Sequence, residues 1–159
     1  MVSGLCDLSG FADEIASLES HGTTSVFCEL EGNPYSWIYL PSPSHEAHRI
    51  ICTGNFAPSN NASGMSTGTL EFTDFASDED IDKTLRRIPF VKRVLKRNFA
   101  RYTYPIQSAN TRKLIASLKR VLKDSGVSLL GRFAEWEYYN MDAAIGAAMD
   151  LCKTIGGAK

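Results

Sequence analysis

Apolar and polar positions alternate over residues 23–31, which are also rich in β-branched side chains, and this pattern predicts a β-strand. Three further strands are predicted in the first half of the chain, at 35–40, 48–56 and 69–73. Gly32-Asn33-Pro34 is a turn signal between the first two, and segment 57–68 has the composition of a loop. Strands that follow one another through turn-length links favour an antiparallel sheet, so at least four antiparallel strands are predicted.

The second half of the chain changes to helical spacing. An apolar stripe predicts a helix over 110–124 that ends before Gly126. The members of the stripe are Leu114, Ile115, Leu118, Val121 and Leu122. The same spacing predicts a helix over 78–97, which Pro89 should break or kink near Arg87, and a last helix over 143–155.

Three further elements are predicted. Phe11, Ile15 and Leu18 have helical spacing within 8–20, where Ser9 is a candidate N-cap. Segments 99–104 and 127–130 are predicted strands, the second of them buried.

Together these elements predict an α+β fold. It consists of an antiparallel sheet of four or more strands with helices packed on it, plus a C-terminal strand–helix piece. The predicted organisation is an N-terminal helical segment (1–22), a sheet domain that includes helix 78–97 (23–106), and a C-terminal helix–strand–helix portion (107–159).

Composition places the chain among ordinary globular proteins. It has 159 residues, 43% hydrophobic and 22% charged, and can bury a core of its own. This composition excludes a disordered, collagen-like or coiled-coil chain. The longest uncharged stretch, 50–70, is broken by polar residues, Gly and Pro, so no membrane span is predicted. Residues 1–30 lack the basic and apolar regions of a secretory signal, and none is expected.

Charge is divided unevenly, although the net charge is −1. Residues 1–82 hold 13 acidic side chains and one basic one, Arg49, whereas residues 83–159 hold 16 basic and five acidic side chains. This asymmetry predicts either a surface that faces a polyanion or two halves that attract each other. The basic run 83–101 is interpreted as a solvated helix face. Binding of nucleic acid or an acidic partner is the weaker alternative, because no nucleic-acid motif accompanies the run.

Cysteine and histidine usage gives no metal or disulfide signature. The cysteines are Cys6, Cys28, Cys52 and Cys152, widely spaced and without a CxxC pair. We expect reduced thiols in a cytoplasmic protein. His45 and His48 lie near Glu46, but no Cys or Asp completes a site, so no metal is predicted.

The stretch 131–142 is the most informative for chemistry, since neither GxGxxG nor GxxxxGK[ST] occurs in the chain. In this stretch Arg132 follows a predicted strand, and a polar-aromatic linker then enters a helix N-terminus. Unpaired backbone N–H groups beside a fixed cation suit an electron-rich group of a cofactor. Alternatively, Tyr138 and Tyr139 are ordinary amphipathic residues and Asp142 is a helix cap. The residues alone leave both interpretations open.

The run GRFAEWEYYNMDAAIGAA, which begins at Gly131, resembles the flavin-contacting C-terminal segment of UDP-galactopyranose mutases and related flavin amine-oxidase-like proteins. RYTYPI at 101–106 resembles the end of a strand in that family. SWIYLP at 36–41 and CTGNFAP at 52–58 resemble its sheet strands. The resemblance extends over roughly residues 24–155 in the family's order, and its last segment is the most specific.

This resemblance implies a C-terminal fragment of an FAD-dependent enzyme that contracts the pyranose ring of a UDP-sugar to a furanose. In that family the reaction proceeds through an adduct at flavin N5, without net redox change, and serves the biosynthesis of cell-surface polysaccharides. Arg132 would be the catalytic cation beside flavin and diphosphate, and Tyr104 and Tyr138 would bind the diphosphate. The cofactor-binding positions would be Arg132, Asn140, Met141 and Asp142. Many bacterial members have Asp where this chain has Asn140, which puts the charge and role of that position in question.

The chain also departs from the family, because the Rossmann portion with its GxGxxG loop has no counterpart in it. We therefore expect residues 107–159 to be part of an FAD-binding domain whose partners are that portion and a UDP-sugar. FAD is expected in the full-length protein but not on this chain alone, which is expected to be inactive. Neither nucleic acid nor membrane is an expected partner. The alternatives are a fragment of a flavin amine oxidase or other oxidoreductase, and a non-catalytic binding module that shares the fold.

Overall fold

The fold is built on a five-stranded antiparallel sheet, in a computed structural model that describes residues 6–41, 46–61 and 64–157. The strands are β1 (Ser20–Leu30), β2 (Trp37–Tyr39), β3 (Ala47–Ile51), β4 (Ser66–Thr73) and β5 (Val91–Pro105). They lie in the order β2-β3-β4-β1-β5, so β2 and β5 form the two edges. The predicted α+β class, with an antiparallel sheet of four or more strands, is confirmed.

Four α-helices accompany the sheet in the described part of the chain. They are α1 (Ala12–Ala16), α2 (Asp78–Leu85), α3 (Ala109–Asp124) and α4 (Met141–Gly156). None of the described helices is both long and apolar enough to cross a membrane. The chain forms two compact units: a sheet unit, His21–Thr103, and a helical unit, Met1–Ser20 with Tyr104–Lys159.

One face of the sheet forms the core of the sheet unit. The strand register places Val26, Leu70 and Ile50 side by side, and each is at most 1% exposed. Ile81 of α2 and Ile88, just after this helix, belong to the same buried cluster. Complete burial of such a side chain contributes about 1.5–3 kcal/mol, so this cluster holds α2 on the sheet.

The predicted helix over 78–97 is wrong beyond Leu85. Helix α2 ends at that residue, and strand β5 begins at Val91 and includes the predicted strand 99–104. Pro89 disfavours helical backbone at the residue before it and has no N–H to continue the helix. The spacing of Leu95 suggested a buried helix face, but Leu95 is 38% exposed. The basic run 83–101 is solvent-exposed as expected, but it lies largely on an edge strand.

Ion pairs inside the sheet unit join basic side chains of the second half of the sequence to acidic side chains of the first half. Arg93 Nε lies 2.7 Å from the Glu29 carboxylate. Arg97 pairs with Asp78, and its Nη2 lies 3.2 Å from Asp82. These contacts join the basic half of the sequence to the acidic half, which is one of the two outcomes that the charge pattern predicts. Pairs this exposed contribute about 0–1 kcal/mol each.

Helix α3 organises the helical unit. It begins with a capping box in which Ser108 and Thr111 each accept the other's backbone N–H. Its buried residues belong to the predicted apolar stripe and pack against Phe11 and Ile15. They are Leu114, Ile115, Leu118 and Leu122. Val121, predicted in the same stripe, is 37% exposed.

Two predictions in the helical unit need correction. The helix over 8–20 is a 3₁₀ turn, Ser9–Phe11, followed by the short α1. Ser9 is not an N-cap; its N–H donates to the Asp7 carboxylate at 2.9 Å, which lowers the pKa of Asp7. The segment 127–130 is not a strand, since no described strand pairs with it.

The four cysteines are free thiols. Burial raises the pKa of Cys28 to about 11 and also raises the pKa of Cys52. Both core thiols therefore stay protonated at neutral pH and are poor nucleophiles.

Two glycine substitutions test this packing. A Cβ at Gly68 would lie 2.9 Å from the Ile51 carbonyl oxygen and would press on the Leu30 side chain, whereas a Cβ at Gly146 in α4 would meet no atom within 4 Å. We expect Gly68→Ala to lower the free energy of unfolding by about 1–3 kcal/mol. Gly146→Ala should raise it by about 0.5–1 kcal/mol through helix propensity. Urea unfolding measures both, and a neutral Gly68→Ala would contradict the strand register.

Candidate functional site

An arginine–tyrosine cluster, defined by Arg132, Tyr104 and Tyr138, lies in the helical unit. The Arg132 guanidinium carbon is 4.8 Å from the centre of the Tyr104 ring and 5.6 Å from that of Tyr138. The two rings stack, with centres 5.1 Å apart and planes inclined by 12°. A planar cation over aromatic rings is favourable by about 0.5–2 kcal/mol, so the three side chains order one another.

The guanidinium is also fixed beside the start of α4. Arg132 Nε donates to the Tyr139 carbonyl at 3.0 Å, and Nη2 donates to the same oxygen. Tyr139 directly precedes Asn140, the N-cap residue of α4. The cation and the helix N-terminus are therefore neighbours, as the interpretation of 131–142 as a site requires.

Segment 131–139 reaches this geometry through turns, and Arg132 does not follow a strand as predicted. Gly131 has φ +95°, a left-handed conformation that favours glycine, and its carbonyl accepts the Glu135 N–H at 2.9 Å. Trp136 Nε1 donates to the Ile106 carbonyl at 3.0 Å, which ties the segment to the residues after β5. The absence of a strand at 127–130 thus changes how Arg132 is held but leaves it near Tyr104.

The Glu135 carboxylate supports the segment from the inside. Its side chain is 10% exposed, and it accepts hydrogen bonds from Lys119 Nζ at 2.7 Å and from the Gly131 N–H at 3.2 Å. Desolvation alone would raise the pKa of Glu135, but these hydrogen bonds outweigh it and hold the pKa below its ordinary value. Burial and the Glu135 carboxylate raise the pKa of the Tyr139 phenol. Through the Gly131 N–H, Glu135 anchors the start of the segment that carries Arg132.

The N-terminus of α4 offers backbone donors. The Ala144 N–H donates to the Asn140 carbonyl at 3.0 Å, so the N–H groups of 141–143 have no partner within the helix. The Asn140 side chain makes no capping hydrogen bond, and Met141 is 84% exposed. Asp142 lies in the first turn and is not the cap, which corrects the alternative interpretation of that residue.

The structure thus brings Tyr104, Arg132 and Tyr138 together, and it places Asn140, Met141 and Asp142 in sequence beside them. Their roles in binding stay predictions. No group of His, Cys, Asp and Glu among the described residues could hold a metal ion. His45, considered above as a ligand, lies outside the described residues.

A second arginine cluster, which sequence reasoning missed, lies on the sheet face opposite α2. The register aligns Tyr39, Arg49 and Glu71 across three strands. Arg49 Nε binds the Glu71 carboxylate, and the Arg49 guanidinium carbon lies 4.7 Å from the centre of the Trp37 ring. Trp37 and Tyr39 are 40% and 69% exposed. The signal was available, because Arg49 is the single basic residue in 1–82 and the alternation of Trp37 and Tyr39 puts both on one face.

The polar environment of this second cluster includes His48, beside Arg49 on β3. The buried Nδ1 of His48 has no hydrogen-bond partner, and its Nε2 lies 3.9 Å from the Glu71 carboxylate. Burial and the Arg49 charge lower the pKa of His48, so the imidazole is neutral at pH 7.

Solved structures share this fold. The crystal structure of reduced UDP-galactopyranose mutase matches 96% of the chain with a TM-score of 0.80 and 16% sequence identity. A structure from Exiguobacterium sp. 255-15, assigned as a protoporphyrinogen oxidase, matches 92% of the chain with a TM-score of 0.61 and 11% identity. The chain spans 37% of the length of each of these proteins. Neither a protein-family model nor a curated protein matches the sequence.

Identity this low shows the fold alone. The chain has the fold of one part of these two enzymes, which supports the predicted resemblance at the level of architecture. The particular reaction, substrate and cofactor stay predictions.

The Glu135 network predicts a pH dependence of stability. Because the folded-state pKa of Glu135 is lowered, the carboxylate stabilises the fold above its ordinary value of 4.5. This contribution is lost as the pH falls from there through the folded-state pKa. Glu135→Gln should cost about 1–3 kcal/mol at pH 7 and progressively less below pH 4.5.

Urea unfolding at a series of pH values measures the effect. Glu14→Gln is the matched control, because Glu14 is exposed on α1 in the same unit. A difference between Glu135→Gln and the parent protein that does not change between pH 7 and pH 3 would contradict the assigned network.

Proposed function

We propose that this chain is the C-terminal part of a flavin-dependent enzyme that acts on a UDP-sugar, with UDP-galactopyranose mutase as the model for its reaction. The observation that carries the proposal is the arginine–tyrosine cluster at the start of α4 in a fold that matches that mutase over 96% of the chain. A guanidinium ordered by two tyrosines is suited to a diphosphate, because its planar donors match phosphate oxygens.

The residues around the α4 N-terminus fit the electron-rich edge of FAD. The N–H groups of 141–143 lack helical partners, the Asn140 side chain does not cap them, and Arg132 lies beside them. When bound there, FAD would supply the ring nitrogen at which the anomeric carbon of the sugar reacts. Arg132 and these N–H groups would orient the ring and hold its negative edge.

In this proposal the protein's own residues act on the diphosphate. Arg132 offsets the negative charge that develops on UDP as the bond to the sugar breaks. Tyr104 and Tyr138 donate their phenol hydrogens to diphosphate oxygens, while their stacked rings keep Arg132 from turning into solvent.

A flavin-dependent oxidase is the alternative, and the match to the protein assigned as a protoporphyrinogen oxidase favours it. The two reactions differ in net chemistry. A mutase interconverts two UDP-sugars without consuming oxygen, whereas an oxidase reduces oxygen as it oxidises its substrate. If the gene encodes a longer polypeptide with a GxGxxG loop, UDP-sugar conversion and oxygen uptake measured on that polypeptide separate the two.

Diphosphate binding by this chain tests the role of Arg132. In an NMR titration with UDP, we expect weak binding with shifts concentrated at Tyr104, Arg132, Tyr138 and the first turn of α4. Arg132→Ala should remove about 1.5–3 kcal/mol of binding, which is roughly 10- to 150-fold in Kd. Arg132→Lys should restore little of it, because a point charge cannot replace the planar fork.

Two variants make this test specific. Arg120→Ala removes an exposed arginine of α3 in the same unit and should change Kd less than about twofold. Tyr138→Phe keeps the ring stack and removes only the hydroxyl, so it should weaken binding without loss of fold. Equal losses in Arg132→Ala and Arg120→Ala would reject the site.

A further inference from the structure

We propose that strand β5 is a docking edge for an extended acidic polypeptide segment, which would add to the sheet as a sixth strand. The inference concerns the sheet unit alone and is independent of the flavin and sugar chemistry proposed above. It draws on the topology of the sheet, the exposure of β5 and its charge.

The topology leaves one side of β5 open. β5 is the last strand in the sheet order, and β1 is its neighbour on the inner side. No described strand lies along the outer side between Val91 and Thr103. Thirteen extended residues span about 40 Å, so a long row of backbone N–H and C=O groups faces outward. Another strand can satisfy such groups directly.

The side chains of β5 are accessible to a partner. From Lys92 to Tyr102 every residue except Val94 is exposed. By contrast, six of the eleven residues in β1 are buried. The exposed part of β5 therefore has room for a second strand and its side chains.

The charge on this edge is basic even after its ion pairs are formed. Arg93 and Arg97 are engaged by carboxylates of β1 and α2. Lys92, Lys96 and Arg101 have no carboxylate within ion-pair distance among the described residues. Carboxylates on an added strand would lie close to these groups, where opposite charges are favourable by about 0.2–1 kcal/mol per pair.

Exposed apolar side chains of β5 indicate which uncharged residues the partner segment should carry. Leu95, Phe99 and Tyr102 are 38%, 40% and 65% exposed between the basic residues. A segment in which acidic residues are interspersed with Thr or Val would complement both features. The rival interpretation is that the lysines only prevent unwanted edge pairing, which is a common use of lysine on edge strands.

The experiment uses the full chain and a nine-residue peptide of alternating Glu and Thr. We expect the peptide to bind, with a Kd that rises as salt is added, because the contact is partly ionic. Backbone pairing predicts that amide hydrogen exchange in 91–103 slows at least about tenfold on saturation. An otherwise identical peptide with Gln for Glu should bind at least about tenfold more weakly.

Charge-reversal variants test whether the peptide binds at β5 specifically. Lys92→Glu with Lys96→Glu should weaken the peptide at least about tenfold, whereas Lys113→Glu with Arg120→Glu on α3 should change Kd less than about twofold. Lys92→Gln with Lys96→Gln is the milder variant if the reversal disturbs folding, and thermal unfolding checks each protein. Equal weakening by the α3 variant would overturn the assignment.

Three other results would also overturn the proposal. Binding without slower amide exchange would mean contact through side chains only. A single-stranded RNA of equal charge that binds more tightly, with the same lysine dependence, would make β5 a nucleic-acid surface. The third result is that the peptide fails to bind at low salt while the Lys92→Gln/Lys96→Gln protein self-associates. That result would show that the two lysines only prevent unwanted pairing of the β5 edge.

Discussion

The burial of one carboxylate organises the candidate site of the helical unit. Glu135 is almost enclosed, so it must be hydrogen-bonded, and its donors are Lys119 of α3 and the Gly131 N–H. These bonds fix the start of the turn segment, directly before Arg132. The Arg132 guanidinium is held at the other end of the segment by the Tyr139 carbonyl. The start of the segment is therefore fixed by an anion that Arg132 need not contact.

In both arginine clusters, which lie in separate units, an aromatic ring contacts a partly buried guanidinium. A guanidinium that is partly removed from water loses hydration, and an aromatic face replaces some of it without neutralising the charge. Arg132 uses two stacked tyrosines, whereas Arg49 uses Trp37 and a carboxylate. The difference matters for ligands, because a carboxylate beside Arg49 disfavours an anion more than two tyrosine rings beside Arg132 do.

Sequence reasoning succeeded where a single periodicity decided the element. The stripe of α3 has no competing pattern, and the alternation in β1 excludes a helix. It failed at Val91 and Leu95, whose spacing continues that of α2 past Pro89 although tertiary pairing with β1 makes them strand residues. It failed at Val127 and Leu129 because a short apolar run cannot reveal whether a strand is available to pair with it. Tyr104 and Arg132 lie far apart in sequence, so only the family resemblance predicted their proximity.

The unequal edges of the sheet limit how it can associate. β2 has three residues and offers room for at most a few backbone hydrogen bonds, whereas β5 has fifteen. In the language of polymer chemistry, the sheet is monofunctional: it can accept one strand at β5 but has no comparable second end at β2. A fibril of sheet units needs units that join at both edges, and the short β2 does not supply the second one.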